Sequence, residues 1–117
     1  MKAKFNLILL CAFMPTLAHA AQDSSRINKA IDCSLYSLVV HYYIKDFNSR
    51  ANWYSTSERW LDKAITLGAS DDTYALRSTE TLRGLRVIND RHLVPKVSAM
   101  YKSNNCDLNE HGSNGDK

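Results

Sequence analysis

The chain has 117 residues, of which 44% are hydrophobic and 23% are charged, and its formal net charge is +3 at neutral pH. This length is natural for one small domain. The positive charge is small and does not gather in a long basic run, so composition gives no indication of nucleic-acid binding.

Residues 1–20 have the three parts of a secretory signal. Two lysines stand in the first four positions, an apolar run covers residues 5–14, and small residues flank His19 in Ala18-His19-Ala20. The apolar run is shorter than the roughly 20 residues that span a bilayer. We therefore expect an exported, periplasmic or secreted protein whose mature chain begins near Ala21 and carries a formal charge of +1.

Two cysteines, Cys33 and Cys106, remain after this signal. Exported proteins meet an oxidising compartment, where such a pair normally closes. A redox-active pair is the alternative, but there is no Cys-x-x-Cys motif. We predict a structural disulfide that joins the first helix to the C-terminal segment.

Apolar residues at helical spacing predict a first helix from Ser24 or Ser25 to about Phe47. Two neighbouring apolar stripes make it the expected central helix of a bundle. The stripes contain Ile27, Ile31, Leu35, Leu38 and Tyr42, and then Tyr36, Val40, Tyr43 and Phe47.

A capping box, Ser55-Thr56-Ser57-Glu58, predicts the start of a second helix. This helix is expected to end near Leu67, with Gly68 in the left-handed conformation after it. Its predicted buried face consists of Trp60, Leu61, Ala64 and Ile65.

Ser70 is the predicted cap of a third helix, with Asp71 and Asp72 in its first turn. Pro95 predicts a break or kink between residues 88 and 94, followed by a last short helix that ends near Ser103. The apolar and small residues of these two helices are Ala75, Leu76, Thr79, Leu82 and Leu85, and then Val97, Met100 and Tyr101. The prediction is an all-α bundle of about four helices over residues 21–106, with a flexible polar tail at 107–117.

No catalytic or metal-binding spacing is found, so we predict neither an enzyme nor a metal site nor a cofactor. His41 and His92 are isolated histidines. An enzyme that acts on cell-wall material through one of them, with a carboxylate, is the least favoured hypothesis.

Aromatic and arginine residues are the candidates for an interface, because such side chains dominate binding surfaces. The candidates are Trp53, Tyr54, Trp60, Arg83 and Arg86. The alternative for the rings is that they fill the core. The alternative for the arginines is that they lie on the solvent-exposed face of an amphipathic helix.

The predicted function is an exported binding protein, of inhibitor or immunity type, that acts by steric binding to another protein of the cell envelope. An envelope chaperone or stress factor is the alternative. We expect no nucleic-acid partner and no stable membrane insertion. Whether the protein forms a homodimer is left open.

Three short patches carry a slight resemblance to a known family. Cys33 in the first helix, Lys45-Asp46, and Cys106-Asp107-Leu108 resemble periplasmic immunity proteins that block cell-wall amidases from type VI secretion. The resemblance covers little of the chain and assigns it to no family. It implies only a protein inhibitor as one form of the predicted binding function.

Overall fold

A computed structural model describes residues 24–107, and within this range the chain forms four helices and no strand. They are α1 (residues 24–43), α2 (Phe47–Thr66), α3 (Asp71–Leu85) and α4 (Asp90–Ser103). The predicted all-α fold is therefore confirmed. The predicted signal lies outside the described residues, and so do residues 108–117 of the predicted tail.

The helix α1 is the centre of the bundle, because its residues 30–37 are buried without interruption. A helix that is buried on every side must pack against neighbours all round. Its polar groups are satisfied there: the hydroxyl of Ser34 donates to the carbonyl of Ser57 in α2 at 3.1 Å, and the hydroxyl of Ser37 donates to the carbonyl of Cys33 at 2.7 Å. The prediction that the first helix is central is correct over this stretch.

The junction of α1 and α2 differs from the prediction. The helix α1 ends at residue 43, and α2 begins at Phe47 with Asp46 as its cap. The predicted capping box at Ser55 is wrong, since that residue lies in the interior of α2. The carboxylate of Asp46 accepts from the amide of Ser49 at 3.2 Å and so caps the helix at its actual start.

The helices α2 and α4 pack through Tyr101, which lies between two tryptophans. The rings of Trp53 and Tyr101 meet edge to face with centroids 5.1 Å apart, and the indole N–H of Trp60 donates to the Tyr101 hydroxyl at 3.3 Å. Leu93 and Val97 continue the buried face of α4 at four-residue spacing.

The turn between α2 and α3 follows the prediction closely. Gly68 has φ +105°, its amide donates to the carbonyl of Ile65, and the amide of Ala69 donates to that of Ala64. These two bonds close α2 as a Schellman motif, which needs the left-handed conformation that glycine adopts at low cost. Ser70 then caps α3 by accepting from the amide of Thr73 at 3.1 Å.

The chain breaks between α3 and α4 at residues 86–89, which overlaps the interval predicted from Pro95. The last helix nevertheless starts earlier than expected, so Pro95 lies inside α4 rather than before it. Proline removes one backbone donor from the helix, which leaves the carbonyl of Arg91 without its usual partner. Arg91 is exposed, so water can bind that carbonyl.

Three predicted apolar positions of α2 and α3 face outward. Ile65, Leu76 and Leu82 are exposed. The prediction that Ile65 belongs to the buried face of α2 is wrong. In α3, only Leu85 is fully buried, and the side that faces α1 carries polar groups.

The predicted disulfide between Cys33 and Cys106 is present, with Cα atoms 5.7 Å apart. Both cysteines are completely buried. The bond joins the central helix to the segment that follows α4, across a sequence separation of 73 residues.

A partly buried ion pair joins α1 to α3. The guanidinium of Arg77 donates to both carboxylate oxygens of Asp32, from Nε at 2.9 Å and from Nη2 at 2.6 Å. The hydroxyl of Thr81 adds a third bond to Asp32 at 2.7 Å. The pKa of Arg77 is raised mainly by its hydrogen bonds to Asp32. Burial raises the pKa of the nearby Tyr36, and the charge of Asp32 adds to this.

Replacing Arg77 by alanine should destabilise the fold, because the carboxylate of Asp32 stays buried with fewer donors. We expect a loss of about 2 kcal/mol in the free energy of unfolding, below the cost for a fully buried pair because the side chain of Arg77 is 33% exposed. Urea denaturation of the oxidised protein measures this. The matched control is Arg83→Ala on the exposed side of the same helix, expected within about 0.5 kcal/mol of wild type. Equal effects of the two changes would contradict the structural role of the pair.

Candidate functional site

Four large aromatic side chains are exposed around the junction of α1 and α2. They are Tyr42, Tyr43, Phe47 and Tyr54, and we call this surface the aromatic corner. Tyr42 is 66% exposed and Phe47 is 79% exposed. Single exposed apolar residues are normal, but several aromatic rings at one corner of a small domain are typical of an interaction site.

The corner lies where α1 ends and α2 begins. Tyr42 and Tyr43 are in the last turn of α1, Phe47 is the first residue of α2, and residues 44–46 lie outside both helices. All three rings are exposed, so the other described helices do not cover this junction.

His41 supports the corner from beneath. Its ring lies 5.0 Å from the ring of Tyr42 and 5.1 Å from that of Tyr54, measured between centroids. Its Nδ1 is 2.8 Å from the backbone carbonyl of Arg50. A carbonyl oxygen can only accept, so Nδ1 is the protonated nitrogen, and the ring links the end of α1 to the first turns of α2.

Two further side-chain contacts fix the connecting backbone. The Nε of Arg50 donates to the carbonyl of Ile44 at 2.9 Å, which closes the junction from the side of α2. The hydroxyl of Ser49 donates to Asp46 at 2.6 Å, in addition to the bond from its amide. These two bonds lower the pKa of Asp46, the hydroxyl contributing more than the amide.

The electrostatic character of the corner is basic. Lys45 and Arg50 are exposed beside the rings, while the one carboxylate of the connection, Asp46, is occupied by the cap. The aromatic corner therefore combines flat apolar rings, two cations and a backbone held by four side-chain hydrogen bonds. This arrangement suits binding.

A small groove of about 200 Å³ lies on another face of α2, next to the C-terminal segment. It is lined by Ser49, Asn52, Trp53, Thr56, Tyr101 and Asp107. Its one large exposed ring edge is that of Trp53, which is half-buried against Tyr101. The groove is open, and both polar and apolar groups line it.

The predicted interface residues separate into four places. Tyr54 belongs to the aromatic corner, and Trp53 lines the groove. Trp60 is only 3% exposed, with Lys63 Nζ 5.0 Å from its ring centre, so it packs the core. Arg83 and Arg86 are exposed on and just after α3, away from the partly buried Arg77.

Sequence reasoning missed Tyr42, Tyr43 and Phe47 as surface residues. The signal that could have found them is Asp46-Phe47-Asn48-Ser49, a cap residue followed three positions later by a hydroxyl donor. A cap at Asp46 ends the preceding helix and leaves the rings on either side of the break.

Residues 24–107 contain neither a cluster of metal ligands nor a membrane-spanning helix. No group of three or more histidine, cysteine, aspartate or glutamate side chains is placed to hold a metal ion. No helix in this range has the length and apolar content to cross a bilayer.

The sequence and fold were compared with known proteins. No family model, no curated protein and no solved structure matches the chain.

The Asp46 cap predicts a specific dependence of stability on pH. The folded-state pKa of Asp46 lies below its ordinary value of about 3.9, so the charged cap stabilises the fold above that value. This stabilisation should be lost as the pH falls through the lower folded-state pKa. The difference in urea midpoint between wild type and Asp46→Ala is therefore expected to be constant above about pH 5 and to shrink below pH 4.

The matched control is Asp46→Asn, which keeps a cap acceptor but cannot titrate. Its difference from Asp46→Ala should persist at acid pH. A wild-type advantage over Asp46→Ala that does not change between pH 6 and the acid limit of about 2 would contradict the cap as described.

Proposed function

We propose that this chain is an exported binding protein whose aromatic corner docks onto another protein of the cell envelope. The observation that carries the proposal is the exposure of Tyr42, Tyr43, Phe47 and Tyr54 on a junction whose backbone is fixed by side-chain hydrogen bonds. The mode of action is steric: the corner occupies a surface of the partner, and no reaction is required.

Rigid aromatic rings favour tight binding for a physical reason. Tyrosine and phenylalanine bury much area but lose only two rotatable bonds on docking, so their entropic cost is low. The contacts of His41 and Arg50 hold the corner before a partner arrives, which reduces the ordering cost further.

The chemistry of the corner describes the partner. An apolar pocket deep enough for Phe47 would take the most exposed ring. Acidic groups at the rim of that pocket would complement Lys45 and Arg50, and would speed association at low salt. Hydrolases and toxins of the envelope, whose clefts can be blocked in this way, are the class that an inhibitor or immunity protein would bind.

Site-specific photo-crosslinking in the producing cell tests the proposal. A photoreactive phenylalanine replaces Phe47 in one strain and Val87 in another, because Val87 is equally exposed, at 86%, but lies between α3 and α4. The expected result is one discrete adduct from position 47 and none of the same mass from position 87. Tyr42→Ala should then weaken capture of that partner by about tenfold or more.

Two outcomes would contradict the proposal. If position 47 gives no adduct, or if position 87 gives the same one, the aromatic corner is not the docking surface. Adducts of position 47 with many unrelated proteins would instead indicate a chaperone that holds unfolded chains.

A further inference from the structure

The outer face of α3 carries apolar side chains that nothing in the described structure covers. Leu76 is 65% exposed, and Leu82 is also exposed six positions later, about 1.7 turns along the helix. Thr79 lies between them on the same face, as the three-residue spacing on either side of it requires. This face is distinct from the aromatic corner and from the side of α3 that binds Asp32.

The residues of this face are arranged symmetrically about Thr79. Leu76 and Leu82 stand three positions before and after it. Asp72 and Arg86 stand seven positions before and after it, which is two helical turns on either side. The face therefore has an acid at one end and a base at the other, and Leu76, Thr79, Leu82 and the exposed Arg83 lie between them.

The charges at the two ends are available for a partner. Both Asp72 and Arg86 are exposed, and neither has a salt-bridge partner among residues 24–107. The only ion pairs shown within α3 and its surroundings belong to Arg77, on the opposite side of the helix.

We propose that the outer face of α3 binds a second copy of this chain, with the two α3 helices antiparallel and a two-fold axis at Thr79. In that arrangement Leu76 packs against the partner copy's Leu82, and Asp72 pairs with the partner copy's Arg86. Each contact occurs twice, as a two-fold interface demands.

The order of the charges along α3 favours a second copy as the partner and an antiparallel orientation of the two helices. In a parallel pair, Asp72 would lie beside the partner copy's Asp72, and Arg86 beside the partner copy's Arg86. Both contacts would be repulsive. The antiparallel pair makes both contacts attractive and also opposes the two helix dipoles. A two-fold contact between copies requires complementary residues at equal distances on either side of Thr79, whereas an unrelated partner does not.

The size of the face predicts a weak dimer. One pair of helices of this length buries less than the roughly 1,200 Å² of a stable complex. We therefore expect a dissociation constant between about 1 μM and 1 mM.

Sedimentation of the oxidised protein over this concentration range tests the dimer. Asp72→Arg and Arg86→Asp each place like charges opposite one another, and each should weaken association by tenfold or more. The double variant Asp72→Arg/Arg86→Asp restores opposite charges across the axis and should recover most of the affinity. The matched control is Asp62→Arg on the exposed side of α2, which should leave association unchanged.

A second variant keeps the test decisive if a charge reversal prevents folding. Thr79→Cys places two thiols at the two-fold axis, so mild oxidation should link two chains covalently. Ser55→Cys on α2 is its control and should give no comparable dimer. The proposal is overturned by a protein that stays monomeric to about 1 mM, by a double variant that is folded but not restored, or by equal crosslinking at both positions.

Discussion

The Cys33–Cys106 bond joins the most deeply buried part of α1 to the segment that follows α4. Because it closes a loop across 73 residues, the chain-entropy model gives it about 4 kcal/mol of stabilisation. A domain of this size has a total stability of only about 5–15 kcal/mol. The bond holds the segment that follows α4 against the central helix.

The neighbouring residue, Asp32, anchors α1 in another direction. Its carboxylate accepts from Arg77 and Thr81 of α3, so two consecutive residues of α1 attach it to α3 and to the C-terminal segment. The interior of the bundle is thereby filled by structural contacts. The groups left for recognition lie outside it, on the aromatic corner and on the outer face of α3.

Local signals predicted the parts of the fold that depend on nearby residues. Ser70 and Gly68 were identified correctly because a cap and a left-handed turn are determined within a few positions of the chain. The disulfide followed from export and from the presence of one pair of cysteines. The central position of α1 followed from its unbroken apolar content.

The sequence could not reveal features that depend on distant residues or on where a pattern stops. Apolar periodicity continues through Tyr42, Tyr43 and Phe47, so it gave no sign that α1 ends at residue 43. Trp60 was predicted both for the buried face of α2 and as an interface candidate, and its contact with Tyr101, 41 positions away, accounts for its place in the core. The pairing of Asp32 with Arg77 spans 45 positions and has no local signature.

The state of the two thiols in the producing cell tests this account most directly. Cells are quenched in acid, free thiols are alkylated, and the protein is analysed intact and after proteolysis by mass spectrometry. The account predicts a chain with unalkylated Cys33 and Cys106 and a peptide in which the two are linked. Recovery of the folded protein with both cysteines alkylated would contradict it.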